Sequence, residues 1–244
     1  MDTGGAAGAR ETEGCDESRW GRHPVVTDAD PIPAGSFSTW LDSMERALLG
    51  DGGTAVPCGT CTGCCTSSQF ILVEPGEVDT LTRIPADLLF PAPGLPTGNL
   101  LLGYDERGHC PMLVDDACTI YDDRPRTCRT YDCRIFPAAA LEIDDPAQAR
   151  IAERAHRWQF DLPDEVDRVE HAAVRAAATF VADHGDLLPD GIAPANATQH
   201  AVLAVRLHEA FLGRDDETGH PVVVDPEPTM VRRFIAERRT GHPR

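Results

Sequence analysis

Residues 58–65 read CGTCTGCC and residues 110–133 read CPMLVDDACTIYDDRPRTCRTYDC, and these two blocks hold eight of the chain's nine cysteines. Thiols two residues apart let one tight turn aim successive sulfurs at a single ion, which is how zinc ribbons and iron–sulfur proteins begin. A segment so rich in thiols predicts a small, loop-rich fold in which metal replaces part of an apolar core. The alternative, a disulfide framework, calls for an oxidising compartment and usually a short secreted chain. The N-terminal stretch MDTGGAAGARETEGCDESRW has no basic start followed by an apolar run. Nor does any segment approach the roughly 18 uninterrupted apolar residues of a membrane span. A reduced, cytoplasmic protein is therefore expected, with Cys15, alone in the polar N-terminal stretch, an incidental thiol.

The chain has 244 residues, 41% of them apolar, enough for one large domain or two small ones. Forty acidic residues against 22 basic ones give a formal charge of −18. That balance argues against nucleic acid and against anionic membrane surfaces as partners, because both need a basic face. All the basic residues are arginine, and the absence of lysine rules out a Walker-A lysine, a lysine Schiff base and a kinase-type ATP lysine within this chain.

Outward from the cysteines, residues 1–35 are polar, Gly-rich and Pro-punctuated and are expected to form a flexible tail. Ser38 is positioned to cap a helix carrying Trp40, Leu41, Met44, Ala47 and Leu48 on one face and stopping at Gly50. Gln69–Val73 and Asn99–Tyr104 suggest short strands, Pro75–Leu81 a helical turn, and Asp105–Gly108 and Asp115-Asp116 tight turns. The later cysteines are thus expected on short strands and tight loops.

Beyond Cys133 the pattern becomes helical. One helix is expected from Asp145-Pro146 to Trp158 and Phe160, and a second from Pro163 to before Gly185, with Val166, Val169, Ala173, Ala176, Ala177, Phe180 and Val181 at helical spacing. A third, capped by Asn196, carries Val202, Val205, Leu207 and Phe211; a fourth spans about Pro228–Arg238 with Met230, Phe234 and Ile235. His156, His171, His200 and His208 fall on these helices without the spacing of a metal pair. The expected class is α+β: a cysteine-cluster metal-binding domain at 36–140 and a helical domain at 141–244.

Within the cluster, adjacent cysteines on an extended backbone point to opposite sides, so Cys64 and Cys65 suggest two sites or one polynuclear site. Cys58, Cys61 and Cys64 have the C-x2-C-x2-C spacing of a ferredoxin-type run. That run normally closes with x3-C-P, whereas here the Cys-Pro pair lies at Cys110-Pro111, 45 residues after Cys65. Zinc and iron–sulfur both take four tetrahedrally disposed thiolates, so spacing leaves the choice open. Arg124, Arg126, Arg129 and Arg134 fall among the later cysteines and can offset thiolate charge, with Arg126 the one best read as a surface residue. His109 is an alternative ligand, although eight thiols already suffice.

The first block together with CPMLVDDACTIYDDRPRTCR (110–129) resembles the YkgJ-type CxxCxxCC cysteine-cluster proteins, described as zinc- or iron-chelating domains. The resemblance covers about residues 55–137, a third of the chain. It implies metal ligation by Cys58, Cys61, Cys64, Cys65, Cys110, Cys118 and Cys128, with Cys133 as an eighth thiol. Tyr121, Arg124, Pro125 and Arg129 are motif positions supporting the ligands. The implied cofactor is an iron–sulfur cluster or Zn2+. Flagellin lysine N-methylases have a similar cysteine cluster, which brings an iron–sulfur methyltransferase as an alternative; a zinc-stabilised protein-interaction module is the third. Whether the protein is an enzyme stays open at the level of sequence.

Overall fold

The computed structural model describes residues 30–54, 56–189 and 191–240; Cys15 and residues 1–29 of the expected tail lie outside them. The first element among the described residues is strand β1 (Ile32–Ser36), within the stretch expected as tail; it forms because a parallel partner lies far along the chain. Ser36 ends it, and its Oγ accepts from the Thr39 N–H. The cap of helix α1 (Phe37–Leu48) is thus Ser36 and not Ser38, whose own N–H instead donates to the Asp167 carboxylate at 2.9 Å. Phe37, Trp40, Leu41, Met44 and Ala47 form the buried stripe of α1.

Past the first cysteine block come strand β2 (Ile71–Val73), helix α2 (Val78–Arg83), and strands β3 (Leu89–Pro91) and β4 (Leu100–Leu102). They form an antiparallel sheet in the order β2-β4-β3. Beneath it lies a small core of Val73, Ile84, Leu102 and Ile120, against which Cys110, Met112 and Cys118 pack. Strands β5 (Leu113–Val114) and β6 (Ala117–Cys118) make a hairpin whose turn residues, Asp115 and Asp116, both have positive φ, 50° and 57°. Left-handed values at both positions match the right-handed twist of the strands, and Asp tolerates them better than most residues. Cys128 lies in the short helix α3 (Arg126–Thr130), not on the strand or loop expected, because Pro125 starts a helical turn whose carbonyl accepts from the Cys128 and Arg129 N–H groups.

Helix α4 (Ile135–Ala139) follows, then α5 (Ala149–His156) and strand β7 (Trp158–Asp161), the partner of β1. The single helix expected to reach Phe160 therefore ends at His156; Trp158 pairs with Ile32 across the parallel ladder. α6 (Glu165–Asp183) and α7 (Ala197–Leu207) follow, capped by Asp164 and Asn196, then the hairpin of β8 (Leu212–Arg214) and β9 (Pro221–Val223) and helix α8 (Pro228–Thr240). Short antiparallel sheets beside a helical layer bear out the α+β class.

The larger core joins α1 and α4 to the later helices, with Phe37, Phe136, Val174, Val205, Phe211 and Val231 fully buried. Each such side chain removed from water is worth roughly 1.5–3 kcal/mol. The larger core draws on residues from both sides of the boundary expected near residue 140, since α1 and α4 precede it. α1 and α4 are close to the cysteines in sequence, but their apolar stripes can only be covered by the helices that follow. Among the described residues no helix is long and apolar enough to cross a membrane.

Candidate metal centre

The first block folds by local turns. The Cys58 carbonyl accepts from the Cys61 N–H at 3.0 Å, around Gly59 at φ 58°. Gly63 leads into a one-turn 3-10 helix, Cys64–Thr66, secured by Thr66 Oγ1 donating to the Thr62 carbonyl at 3.0 Å and Ser67 Oγ donating to the Gly63 carbonyl. A Cβ on Gly63 would stand 3.1 Å from the Arg150 carbonyl oxygen, so the start of α5 lies directly on this turn.

The second block is laced to the first. Ser68 N–H donates to the Gly108 carbonyl at 2.9 Å and Cys110 N–H to the Cys65 carbonyl at 2.7 Å. The Asp105 carboxylate accepts from the Arg107 and His109 N–H groups and holds the connecting turn. Leu113 N–H bonds to the Cys110 carbonyl, and the hairpin sets Cys118 opposite Leu113. Thr127 Oγ1 donates to the Leu72 carbonyl at 2.9 Å and pins α3, with Cys128, to β2. Glu77 accepts from the Arg126 N–H and lies 3.6 Å from the Arg129 guanidinium.

Cys133 is held from the other side. Its neighbours Asp132 and Arg134 form a buried ion pair, with Arg134 Nη2 2.7 Å from Asp132 Oδ2. Trp40 Nε1 donates to the same carboxylate at 3.0 Å, and Arg134 Nη1 to the Ala34 carbonyl at 3.1 Å. The Trp158 indole N–H donates to the Cys133 sulfur at 3.2 Å.

The eight sequence-predicted thiols are all unpaired by disulfides, and each lies near enough to others of the set for their charges to act on one another. The sulfurs of Cys64 and Cys65 are 3.9 Å apart, which departs from the expected opposite orientation because their backbone is a 3-10 turn and not extended. A hydrogen bond from Cys65 pulls the Cys64 thiol down to about 7 and pushes Cys65 upward. Burial raises Cys58 to about 11, Cys128 and Cys133 to about 12, and Cys110 as well. Negative charge on neighbouring thiolates adds to each of these. Among the described residues no three His, Cys, Asp or Glu side chains converge in metal-holding geometry. Two sulfurs accept instead from nearby N–H groups, Cys61 from Gly63 at 3.4 Å and Cys133 from Trp158.

The surroundings carry a second signal. Of the buried side-chain polar atoms without a hydrogen-bond partner among the described residues, Arg124 Nε, Tyr131 Oη and Arg154 Nε lie by the thiols, and Ser38 Oγ, Glu170 Oε2 and His171 Nε2 lie on the helical side. Buried donors are almost always satisfied, so three orphans in one region call for an acceptor. The positive charge of Arg124 acts on Cys64 and Cys128, and that of Arg154 on Cys58. Tyr131, its hydroxyl pKa raised by burial, is raised further by charge on Cys133 and Cys64. Thiolates carrying negative charge on a bound metal would supply the missing acceptors, and a donor set of sulfur alone suits zinc or an iron–sulfur cluster.

Of the supporting residues expected from sequence, Arg124 lies beside the thiols, its guanidinium stacked 3.7 Å from the ring centre of Tyr121, which is otherwise exposed. Arg129 donates to the Arg124 carbonyl at 2.8 Å and pairs with Glu77, a role in shaping the loop. Arg134 is locked to Asp132, and Arg126 pairs with Glu74 at 3.6 Å on the surface. Arg154 and Trp158 were not legible as site residues. Arg154 donates to the Pro57 and Cys58 carbonyls from about a hundred residues away, and Trp158 reaches Cys133 only through the β1–β7 pairing. The helix histidines are accounted for on the helical side: His156 pairs with Glu142, His200 and His208 bond backbone carbonyls, and His171 packs on Phe37 and Phe160.

No protein-family profile, curated protein or solved structure matches the chain. The resemblance to the CxxCxxCC proteins therefore rests on the two cysteine blocks themselves.

Proposed function

We propose that this protein binds zinc or an iron–sulfur cluster through Cys58, Cys61, Cys64, Cys65, Cys110, Cys118, Cys128 and Cys133. The observation that carries this reading is the set of three buried donors without acceptors, Arg124 Nε, Tyr131 Oη and Arg154 Nε, around eight free thiols. Each four-thiolate zinc centre would carry a charge of −2, and an iron–sulfur cluster is likewise anionic. Arg124 and Arg154 offset that charge; Trp158 donates to the Cys133 sulfur, and the unpartnered Tyr131 hydroxyl would donate to a metal-bound thiolate.

Bound metal would supply folding free energy where the chain lacks apolar core, and, as an iron–sulfur cluster, the capacity to carry an electron. The chain's own part is to hold the sulfurs beneath the small sheet and against α5 and β7. Anaerobic isolation followed by iron, zinc and acid-labile sulfide analysis, with an absorption spectrum, tests the reading and separates the two metals. Stoichiometric zinc in a colourless protein assigns zinc; iron with sulfide and visible absorption assigns the cluster. Less than about half an equivalent of iron plus zinc sinks both.

A further inference from the structure

The eight cysteines are anchored to two different parts of the fold. Cys133 packs against the large helical core and accepts the Trp158 indole N–H. Cys58 belongs to the same side, since Arg154 of α5 donates to its carbonyl at 3.3 Å. Cys61 joins them through the turn it shares with Cys58 and through Gly63, which lies on the Arg150 backbone. Cys110 and Cys118, by contrast, pack against the small core beneath the β2-β4-β3 sheet. Cys65 is tied to Cys110 by the 2.7 Å backbone bond, and Cys128 is fastened to β2 through Thr127.

We infer that the chain builds two adjacent four-thiolate centres, one from Cys58, Cys61, Cys64 and Cys133 on the helical core and one from Cys65, Cys110, Cys118 and Cys128 on the small sheet. The inference rests on the metal-binding reading and goes beyond it by dividing the ligands. Cys64 and Cys65, with sulfurs 3.9 Å apart on one 3-10 turn, are the joint where the two centres meet. The sulfur neighbours agree with the split: Cys133 lies near Cys58 and Cys61, whereas Cys128 lies near Cys110 and Cys118. Cys64 stands close to members of both sets, as a residue at the joint must. Of the two orphaned arginines, Arg154 lies beside Cys58, and Arg124 lies beside Cys128 and the joint residue Cys64.

The chemistry balances set by set. Four thiols that take up one Zn2+ release four protons to solvent and leave a centre of charge −2, which one arginine partly neutralises. A single polynuclear site would instead have to draw all eight sulfurs to one point, away from the two cores that hold them.

The test uses the full chain, isolated anaerobically and loaded with zinc alone or with iron and sulfide. Cys133→Ser and Cys118→Ser are each expected to lose about half the wild-type metal and keep the rest, and the double variant to lose nearly all. If either single substitution empties the protein, or if both leave wild-type content, the division is wrong. Should either serine variant fail to fold, Trp158→Phe replaces it, because it takes the indole donor from Cys133 and leaves all eight thiols in place. Chelator is then expected to withdraw about half the metal faster than in wild type and the other half at an unchanged rate. Uniform withdrawal overturns the proposal. A wild-type chain that binds no metal at all removes the underlying reading along with it.

Discussion

Replacing Arg134 by Met should strand a buried carboxylate, and the size of the effect follows from the contacts. Asp132 is fully buried and Arg134 is 9% exposed, with their side chains 2.7 Å apart at closest approach. Removing the guanidinium leaves Asp132 with the Trp40 indole N–H and the Arg134 backbone N–H as donors, and no counter-charge. Breaking one side of a buried pair typically costs about 3–5 kcal/mol, a large part of the 5–15 kcal/mol stability of an average domain. For a compact unit of this size that corresponds to a drop of roughly 6–20 °C in Tm. Urea unfolding of Arg134→Met against wild type measures it. The companion Asp132→Asn/Arg134→Met removes the charge as well and keeps an acceptor for Trp40, so it is expected to be more stable than Arg134→Met alone. A single variant within about 1 kcal/mol of wild type, or a double variant less stable than the single one, would refute the claim that an uncompensated charge dominates here.

Three further outcomes follow from particular residues. Burial lowers the His171 imidazole to about 4 from an ordinary 6.5. Its folded pKa lies below its unfolded one, so its contribution is fully present above pH 6.5 and is lost as pH falls toward 4. Because the ring is half-buried, about 1 kcal/mol is a reasonable size after discounting for solvent screening. His171→Phe should flatten the stability profile between pH 6.5 and 4, and parallel wild-type and variant curves would count against this. Asp116→Val should destabilise by about 1–2 kcal/mol, because a β-branched residue resists φ 57°, while Asp116→Gly is tolerated; thermal unfolding distinguishes the two. Gly63→Ala should cost about 1–3 kcal/mol, since the new Cβ meets the Arg150 backbone and α5 must shift. Amide exchange should then rise in both the cysteine turn and α5, and a rise confined to residues 58–66 would contradict their close packing.

Much of the helical layer was legible because its signals are local. Asn196 before an amphipathic run marks the start of α7, and the spacing of Ala173, Ala177, Phe180 and Val181 marks the buried face of α6. The Asp115-Asp116 turn and the cores of β2 and β4 were legible for the same reason. What stayed hidden depends on partners distant in sequence. WQFD at 158–161 is too short to declare itself a strand, and it becomes one only because Ile32–Ser36 lies alongside it. Once β7 is missed, Trp158 cannot be placed against Cys133. Ser36 and Ser38 are equally good caps in composition; Asp167, 129 residues from Ser38, accepts the Ser38 N–H and leaves Ser36 to cap. The thiol set could be read from spacing, but the residues that steady it, Arg154 and Trp158, come from elements whose pairing no local pattern encodes.

The central claim, that the eight clustered cysteines are metal ligands, is tested most directly by counting the cysteines protected from alkylation in the natively isolated, anaerobic protein. Cys64 makes the assay decisive, because it is the exposed residue of the eight and its pKa is lowered to about 7, so as a free thiol it should alkylate first. The account predicts that none of the eight clustered cysteines reacts in the loaded protein and that all eight react after metal is stripped under denaturing conditions. Rapid alkylation of Cys64 in the natively isolated protein, with no change on adding chelator, would contradict it.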